Sequence, residues 1–158
     1  MADAVSIPVV AAGGIADGRG VAAAFMLGAD GVQIGTRFIC STESTTHEQY
    51  KTMILKAKEV DSVVTGRSGG HPVRSLKSPL QRRILKMERE GLSDAELETL
   101  AIGSLRRAKV DGDRDGGSFM AGQSAGLVRR VAGCRDIILE LMTEAAAVMA
   151  AQTERGLR

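Results

Sequence analysis

Two glycine-rich turns near the start of the chain are the residues best suited to bind an anion. They lie in Ile7-Pro-Val-Val-Ala-Ala-Gly-Gly-Ile-Ala-Asp-Gly18 and in Val32-Gln-Ile-Gly-Thr36. Each segment is typical of a short buried strand that ends in glycine where a helix begins. Because Gly13, Gly14 and Gly35 carry no Cβ, backbone N–H groups there can surround a phosphate, and a helix N-terminus adds partial positive charge. The two turns therefore predict one phosphate site shared by neighbouring βα units.

Polar side chains support the second turn. We expect Gln33 to point toward the carboxyl-terminal rim of its strand, where its amide can reach a ribityl or ribose hydroxyl. Thr36 offers a hydroxyl and a backbone N–H to the phosphate. The alternative is that Gly13-Gly14 is only a tight turn between a strand and a helix, without a ligand.

The two histidines are weaker candidates for chemistry. His71 follows Gly69-Gly70, but no carboxylate or nucleophile lies near it in sequence. A structural or surface role is therefore favoured over a catalytic one. His47 stands at the start of a predicted helix beside Glu48, and we expect it to face solvent.

An acidic, glycine-rich loop resembles a metal site without completing one. Asp111, Asp113 and Asp115 alternate with other residues, but the twelfth position, where a calcium-binding EF-hand has Glu, is Gly122. A tight turn or a helix-capping loop is the better interpretation. The small residues of Met120-Ala-Gly-Gln123, which follow, permit close approach of a planar ligand, although this signal is weak by itself.

A basic run lies in the middle of the chain. It has one acidic residue, Glu88, and seven basic ones: Arg67, Arg74, Lys77, Arg82, Arg83, Lys86 and Arg89. The run is either a solvated helix face or an electrostatic docking site for an acidic partner or a phosphorylated substrate. No aromatic residues interleave with it, so nucleic-acid binding is not favoured.

Length and composition limit the fold. The chain has 158 residues, a net charge of +2, no Trp and two cysteines without CxxC spacing. A complete (β/α)8 barrel needs about 250 residues, and only six residues precede the first strand, so we expect the C-terminal piece of a larger enzyme. A small complete α/β domain is the alternative. Reduced cysteines and the absence of a signal peptide or long apolar run predict a cytoplasmic protein without membrane or nucleic-acid partners.

The elements that position these residues follow from apolar periodicity. A strand at residues 7–11, a helix capped by Asp17 and a strand at Gly31–Ile34 predict a parallel strand–helix–strand unit. Further helices are predicted at 47–58, 79–90, 93–108 and 134–151, with a strand at 60–65. The residues expected to face inward are Val21, Ala22, Phe25 and Met26 in the first helix and Ile137, Ile138, Leu141, Met142, Ala145 and Val148 in the last.

Three segments in this order resemble the C-terminal half of a family of flavoenzymes. They are the segment that begins at Ile7, then Gly28-Ala-Asp-Gly-Val-Gln-Ile-Gly-Thr-Arg-Phe, then Asp113-Arg-Asp-Gly-Gly-Ser-Phe-Met-Ala-Gly-Gln-Ser-Ala-Gly-Leu-Val. The family comprises FMN-dependent enoyl-acyl-carrier-protein reductase II and nitronate monooxygenase (2-nitropropane dioxygenase). The resemblance covers about residues 5 to 150. It implies an α/β fold: the last βα units of a (β/α)8 TIM barrel at 1–65 and a mainly helical extension with a glycine-rich loop at 66–152. The terminal residues 153–158 are expected to form a disordered tail.

The resemblance also implies a cofactor site and partners. FMN would be bound by Gly13, Gly14, Gln33, Ile34, Gly35 and Thr36, with Met120, Ala121, Gly122 and Gln123 near the isoalloxazine ring. The reductant would be NADH or NADPH, and the substrate an enoyl thioester on acyl carrier protein or a small nitronate. The family's catalytic histidine belongs to the N-terminal half, so no catalytic residue is assigned here and His71 does not take that role. A homodimer and a non-catalytic truncated half-barrel are left open.

Overall fold

The computed structural model describes residues 2–91 and 93–156. The strands and helices, in chain order, are β1 (Val10–Ala12), α1 (Gly18–Met26), β2 (Gly31–Gln33), α2 (Thr36–Ile39), α3 (Glu48–Lys56), β3 (Ser62–Thr65), β4 (Val73–Leu76), α4 (Pro79–Arg89), α5 (Asp94–Ala101), α6 (Ser104–Arg106) and α7 (Cys134–Gly156). They form two compact units, Met1–Ser44 with Arg130–Arg158 and Thr45–Arg129. The first unit is therefore built from two separate stretches of sequence.

The first unit contains the predicted strand–helix–strand motif. β1 and β2 pair in parallel, with Val10 opposite Gly31 and Ala12 opposite Gln33. The Asp17 side chain caps α1 by accepting a hydrogen bond from the Gly20 N–H at 3.0 Å. Both strands are shorter than predicted, and β1 begins at Val10 rather than Ile7.

The core of the first unit lies between α1 and α7. Val21 and Ala22 of α1 are buried against Ile137, Leu141 and Ala145 of α7. Three residues expected to face inward do not: the exposed fractions are 73% for Met26, 52% for Ile138 and 47% for Met142. Each apolar stripe is wider than the line along which the two helices touch, so its flank faces outward.

The second unit is built around an antiparallel hairpin. Ser62 of β3 pairs with Leu76 of β4, and Thr65 pairs with Val73. The backbone around Phe119 runs along the other side of β4, where the Leu76 N–H donates to the Phe119 carbonyl at 2.8 Å. β4 lies within the segment 66–152, which is expected to be mainly helical, and no strand was predicted at its position. The helices α3 and α4 lie close to their predicted positions.

The predicted helix at 93–108 is interrupted. α5 ends at Ala101, and Gly103 adopts the left-handed conformation, with φ at +72°, before α6 begins at Ser104. A left-handed residue cannot continue an α-helix, and glycine adopts it without steric cost. A turn of π-helix over Arg107–Asp111 follows α6. Leu97 of α5 packs with Leu80 and Ile84 of α4.

The last helix is longer than predicted, since α7 continues through Gly156. Residues 157 and 158, which the sequence places in the tail, lie outside the described residues. Within 2–91 and 93–156, no helix combines the length and apolar character needed to cross a membrane. The fold is α/β, as expected. The division of the protein at residues 65 and 152 stays a prediction.

Candidate functional site

The two glycine turns leave the sheet at the same edge. Ala12 is paired with Gln33 in parallel register, and Gly14 and Gly35 each follow their strand by two residues. Neighbouring strands lie about 4.8 Å apart, and their carboxyl ends point the same way. Opposite edges would have separated the two turns, so this arrangement is compatible with one shared phosphate site, which stays a prediction.

Open space surrounds the glycines of both turns. A Cβ built on Gly13, Gly14 or Gly35 would meet no atom within 4 Å. Gly13 and Gly14 have φ of +93° and +75°, a backbone conformation that side chains rarely adopt. The two turns thus leave room for an anion to approach the backbone.

At the N-terminus of α1, the helix that follows the first turn, backbone N–H groups already donate to side-chain carboxylates. The Gly18 N–H donates to Glu144 Oε2 at 2.7 Å, and Asp17 caps Gly20. Burial by itself would raise the pKa of Asp17, but hydrogen bonds from Arg19 and Gly20 outweigh it and hold this pKa below the usual value. The first turn of α1 is therefore occupied by two carboxylates, whereas Gly35, the N-cap residue of α2, has no side-chain cap.

The remaining residues of the second turn differ in exposure. Gln33 is exposed, and Ile34 and Thr36 are half-buried. Gln33 shares a face of the two-stranded sheet with Val10 and Ala12, since Ala11 and its partner Val32 face the other way. Val10 is 60% exposed on this face. Gln33 is thus exposed beside the two turns, and a contact of its amide with a ribityl or ribose hydroxyl stays a prediction.

The segment expected near the flavin ring belongs to the second unit. The Tyr50 hydroxyl donates to the Met120 carbonyl at 2.6 Å, and the Tyr50 ring meets Phe119 edge-on with centroids 5.0 Å apart. Burial raises the pKa of Tyr50 strongly, although the hydrogen bond to the Met120 carbonyl opposes this. Gly122 is the N-cap of a 3-10 turn that begins at Gln123, an exposed residue, and Ala121 is buried. Tyr50 thus fixes the backbone of this segment, a contact that the sequence did not indicate.

The weaker candidates have structural roles. His47 is exposed and caps α3, with its Nδ1 accepting from the Gln49 N–H at 3.0 Å. Asp113 Oδ1 accepts from the backbone N–H groups of residues 115 and 116, both at 3.0 Å, which lowers the Asp113 pKa and confirms the predicted tight turn. In the described part of the chain, no three His, Cys, Asp or Glu side chains are grouped as metal ligands would be.

The basic residues of the second unit lie mostly at its surface. Arg82, Arg83 and Arg89 of α4 are exposed, as are Arg67, Lys77 and Lys86. Lys86 Nζ lies 3.7 Å from a Glu90 carboxylate oxygen, and Arg74 donates to the Ser62 hydroxyl at 3.0 Å. Glu88, the acidic residue of the run, accepts from the Gly66 N–H at 2.6 Å. Most of this positive charge is therefore free to face an acidic partner.

A cavity of about 410 Å³ lies within the second unit. Its lining is contributed mainly by the loop after β3, by α4, by the segment from α5 to α6 and by residues 118–120, and includes Thr65, His71, Gln81, Ile84, Leu97, Ala101, Leu105, Ser118 and Met120. No sequence pattern indicates this cavity, because its lining comes from segments up to 55 residues apart, from Thr65 to Met120. Gly103 lines the cavity and interrupts the predicted helix at 93–108, so it was the sequence feature that could have indicated a break in this region.

Comparison with known proteins places this chain in a family. The sequence profile described as nitronate monooxygenase matches residues 1–144. The chain belongs to the nitronate monooxygenase family. A probable nitronate monooxygenase of Staphylococcus saprophyticus is 38% identical over 132 residues, which are 83% of this chain and 37% of that protein. The family consists of flavin-dependent oxidoreductases.

Solved structures of TIM-barrel enzymes match the fold of this family member. FabK from Thermotoga maritima superimposes with a TM-score of 0.91 and 49% identity over 99% of this chain and 49% of that one. Nitroalkane oxidase from Streptomyces ansochromogenes gives a TM-score of 0.74 and 30% identity over 94% of this chain and 42% of that one. The chain thus spans between about a third and a half of the length of its relatives.

Proposed function

We propose that this chain is the C-terminal half of an FMN-dependent enoyl-acyl-carrier-protein reductase of fatty-acid synthesis. The parallel pairing of β1 with β2 carries the proposal, because it brings the turns at Gly14 and Gly35 to one edge of the sheet. The 49% identity to FabK supports the reductase branch of the family. The extension with its acidic glycine-rich loop is also more like that branch.

The phosphate of FMN would be held by backbone N–H groups of Gly13, Gly14, Gly35 and Thr36. Because two carboxylates occupy the start of α1, the phosphate would be held by the backbone N–H groups of the two glycine turns rather than by that helix end. The Gln33 amide would contact a ribityl hydroxyl, and Ile34 would support the turn from the half-buried side.

Residues Met120, Ala121, Gly122 and Gln123 would line the isoalloxazine ring, with Tyr50 positioning the Met120 carbonyl. Bound FMN would supply hydride transfer, from NADH or NADPH to the double bond of the enoyl thioester. In this proposal β1 and β2 are the last strands of a (β/α)8 barrel, and the catalytic histidine lies in the N-terminal half. The exposed basic residues of α4 suit an acidic acyl carrier protein.

Nitronate monooxygenase activity is the second candidate. The matching family profile and the 30% identity to nitroalkane oxidase favour it. Its substrates would be a small alkyl nitronate and O2, with FMN bound by the same turns. A non-catalytic truncated half-barrel is the third hypothesis. Such a protein would be prone to aggregate, because Val10 and Ile7 expose apolar surface.

Activity assays on the protein extended by its upstream half separate these candidates. NADH or NADPH oxidation that depends on crotonyl thioester is expected for the reductase. Oxygen uptake with an alkyl nitronate, and none of this oxidation, would instead establish the monooxygenase. If neither reaction occurs in the extended protein loaded with FMN, the enzymatic proposal fails.

Flavin titration tests the phosphate site in the same extended protein. Gly35→Asp places a carboxylate where the phosphate would bind, so FMN affinity should fall by at least about tenfold, as like charges in close contact repel. Riboflavin, which lacks the phosphate, is the matched control and should bind both forms equally. An equal effect of the substitution on both ligands would contradict the assignment of the two turns.

A further inference from the structure

We propose that the cavity of the second unit binds the acyl chain of the substrate and sets the chain length that the enzyme accepts. This inference rests on the proposed reductase function. It starts from the position of Met120, which lines the cavity and also belongs to the segment proposed to contact the flavin ring. A chain lying in the cavity would therefore have its reactive end beside that ring.

Two polar side chains of the lining, Gln81 and Ser118, are already paired, and Thr65 and His71 line the cavity as well. Gln81, which is 1% exposed, accepts from the Ser78 hydroxyl through Oε1 and donates to the Ser118 hydroxyl through Nε2 at 3.1 Å. The Ser118 N–H in turn donates to the Ser104 carbonyl at 3.0 Å. A ligand with many polar edges would have to break these bonds, whereas a hydrocarbon chain would leave them intact.

The walls offer apolar surface to such a chain. Ile84 and Leu97 are 6% and 7% exposed and form one wall. Leu105 lies at the opening with 42% of its surface exposed, and Ala101 beside it is also exposed. When a hydrocarbon chain covers apolar groups that were solvated around a cavity, the free energy of binding becomes more favourable. The cavity volume of about 410 Å³ lies within the range of small-ligand sites.

Calorimetric titration of the protein extended by its upstream half with saturated acyl thioesters of N-acetylcysteamine tests the proposal. Butanoyl, hexanoyl and octanoyl thioesters should bind about fourfold more tightly per added methylene. Ala101→Phe fills the cavity and should weaken octanoyl binding about tenfold or more. Ile102→Phe is the matched control, because Ile102 is the next residue, is 67% exposed and does not line the cavity. It should leave the affinity unchanged.

A second variant keeps the test decisive if Ala101→Phe fails to fold. Leu105→Ala removes part of the exposed wall and should weaken octanoyl binding several-fold without disturbing the core. Affinity that does not rise with chain length, or equal effects of Ala101→Phe and Ile102→Phe, would overturn the proposal. Displacement of the octanoyl thioester by riboflavin would overturn it too, since the cavity would then be part of the flavin site. Failure of the reductase function appears separately, as absent crotonyl-dependent oxidation in the extended protein.

Discussion

Gly18 is the position where a single methyl group should do most damage to the first unit. It is the first residue of α1, and a Cβ added there would lie 2.4 Å from Glu144 Cβ, 2.6 Å from Ala145 N and 2.7 Å from the Leu141 carbonyl oxygen. Two of these three atoms belong to the backbone of α7, so no side-chain rotation relieves the overlap. The helices would have to separate by about 1 Å to restore ordinary contact.

The expected cost of Gly18→Ala follows from three contributions. Overpacking costs about 1–3 kcal/mol. Weakening the hydrogen bond from the Gly18 N–H to Glu144, made at 2.7 Å, costs about 1 kcal/mol more, because the acceptor is charged. Replacing glycine by alanine in a helix stabilises the folded chain by about 0.5–1 kcal/mol. The free energy of unfolding should therefore fall by about 1–3.5 kcal/mol.

Urea unfolding followed by far-UV circular dichroism measures this difference. Gly20→Ala in the same helix is the matched control, because its nearest contact would be the flexible Ile15 Cγ2 at 3.3 Å. It should be neutral or stabilise the chain by up to about 1 kcal/mol. The reasoning is refuted if Gly18→Ala is as stable as the parent chain, or if both variants lose stability equally.

Three further predictions concern single contacts. Tyr50→Phe removes the donor to the Met120 carbonyl and should lower the free energy of unfolding by about 1 kcal/mol in urea titration; no change would contradict the role of this bond. The Cys134 N–H donates to Glu43 and lowers the Glu43 pKa to about 2 from 4.5, so its stabilising effect is complete above pH 4.5 and lost as the pH falls toward 2. Glu43→Gln should remove that part of the pH dependence of unfolding, and an unaltered acid profile would count against it. Gly112→Ala should lower the midpoint of thermal unfolding, because φ is +64° and the new Cβ would lie 2.2 Å from the imidazole that caps α3; an unchanged midpoint would show that this loop adapts.

Elements with strong local signals could be predicted from the sequence. Asp17 caps α1 as expected because its carboxylate and the Gly20 N–H are three residues apart, a distance that the helix itself sets. The parallel pairing of β1 with β2 follows from one short crossover helix. The FMN residues carried by these turns remain predictions until a flavin titration is made.

β4 could not be predicted in the same way. Its four residues, Val73–Leu76, form no regular alternation, and one of its neighbours is the distant backbone around Phe119. β4 is a strand because it pairs with β3, and the backbone around Phe119, more than 40 residues away, adds a second neighbour that no local propensity encodes. The cavity was missed because its lining comes from segments up to 55 residues apart.

The sequence by itself determined that two glycine turns leave one edge of a parallel strand pair, because strand–helix–strand connectivity orients both strands alike. Tertiary structure alone decided that a distant carboxylate occupies the start of α1. Glu144 takes the Gly18 N–H from 126 residues away, and only the packing of α7 against α1 can bring that carboxylate there. The same packing selected Ile137 over Ile138 for the core, because a helix buries only the line of residues that its neighbour touches.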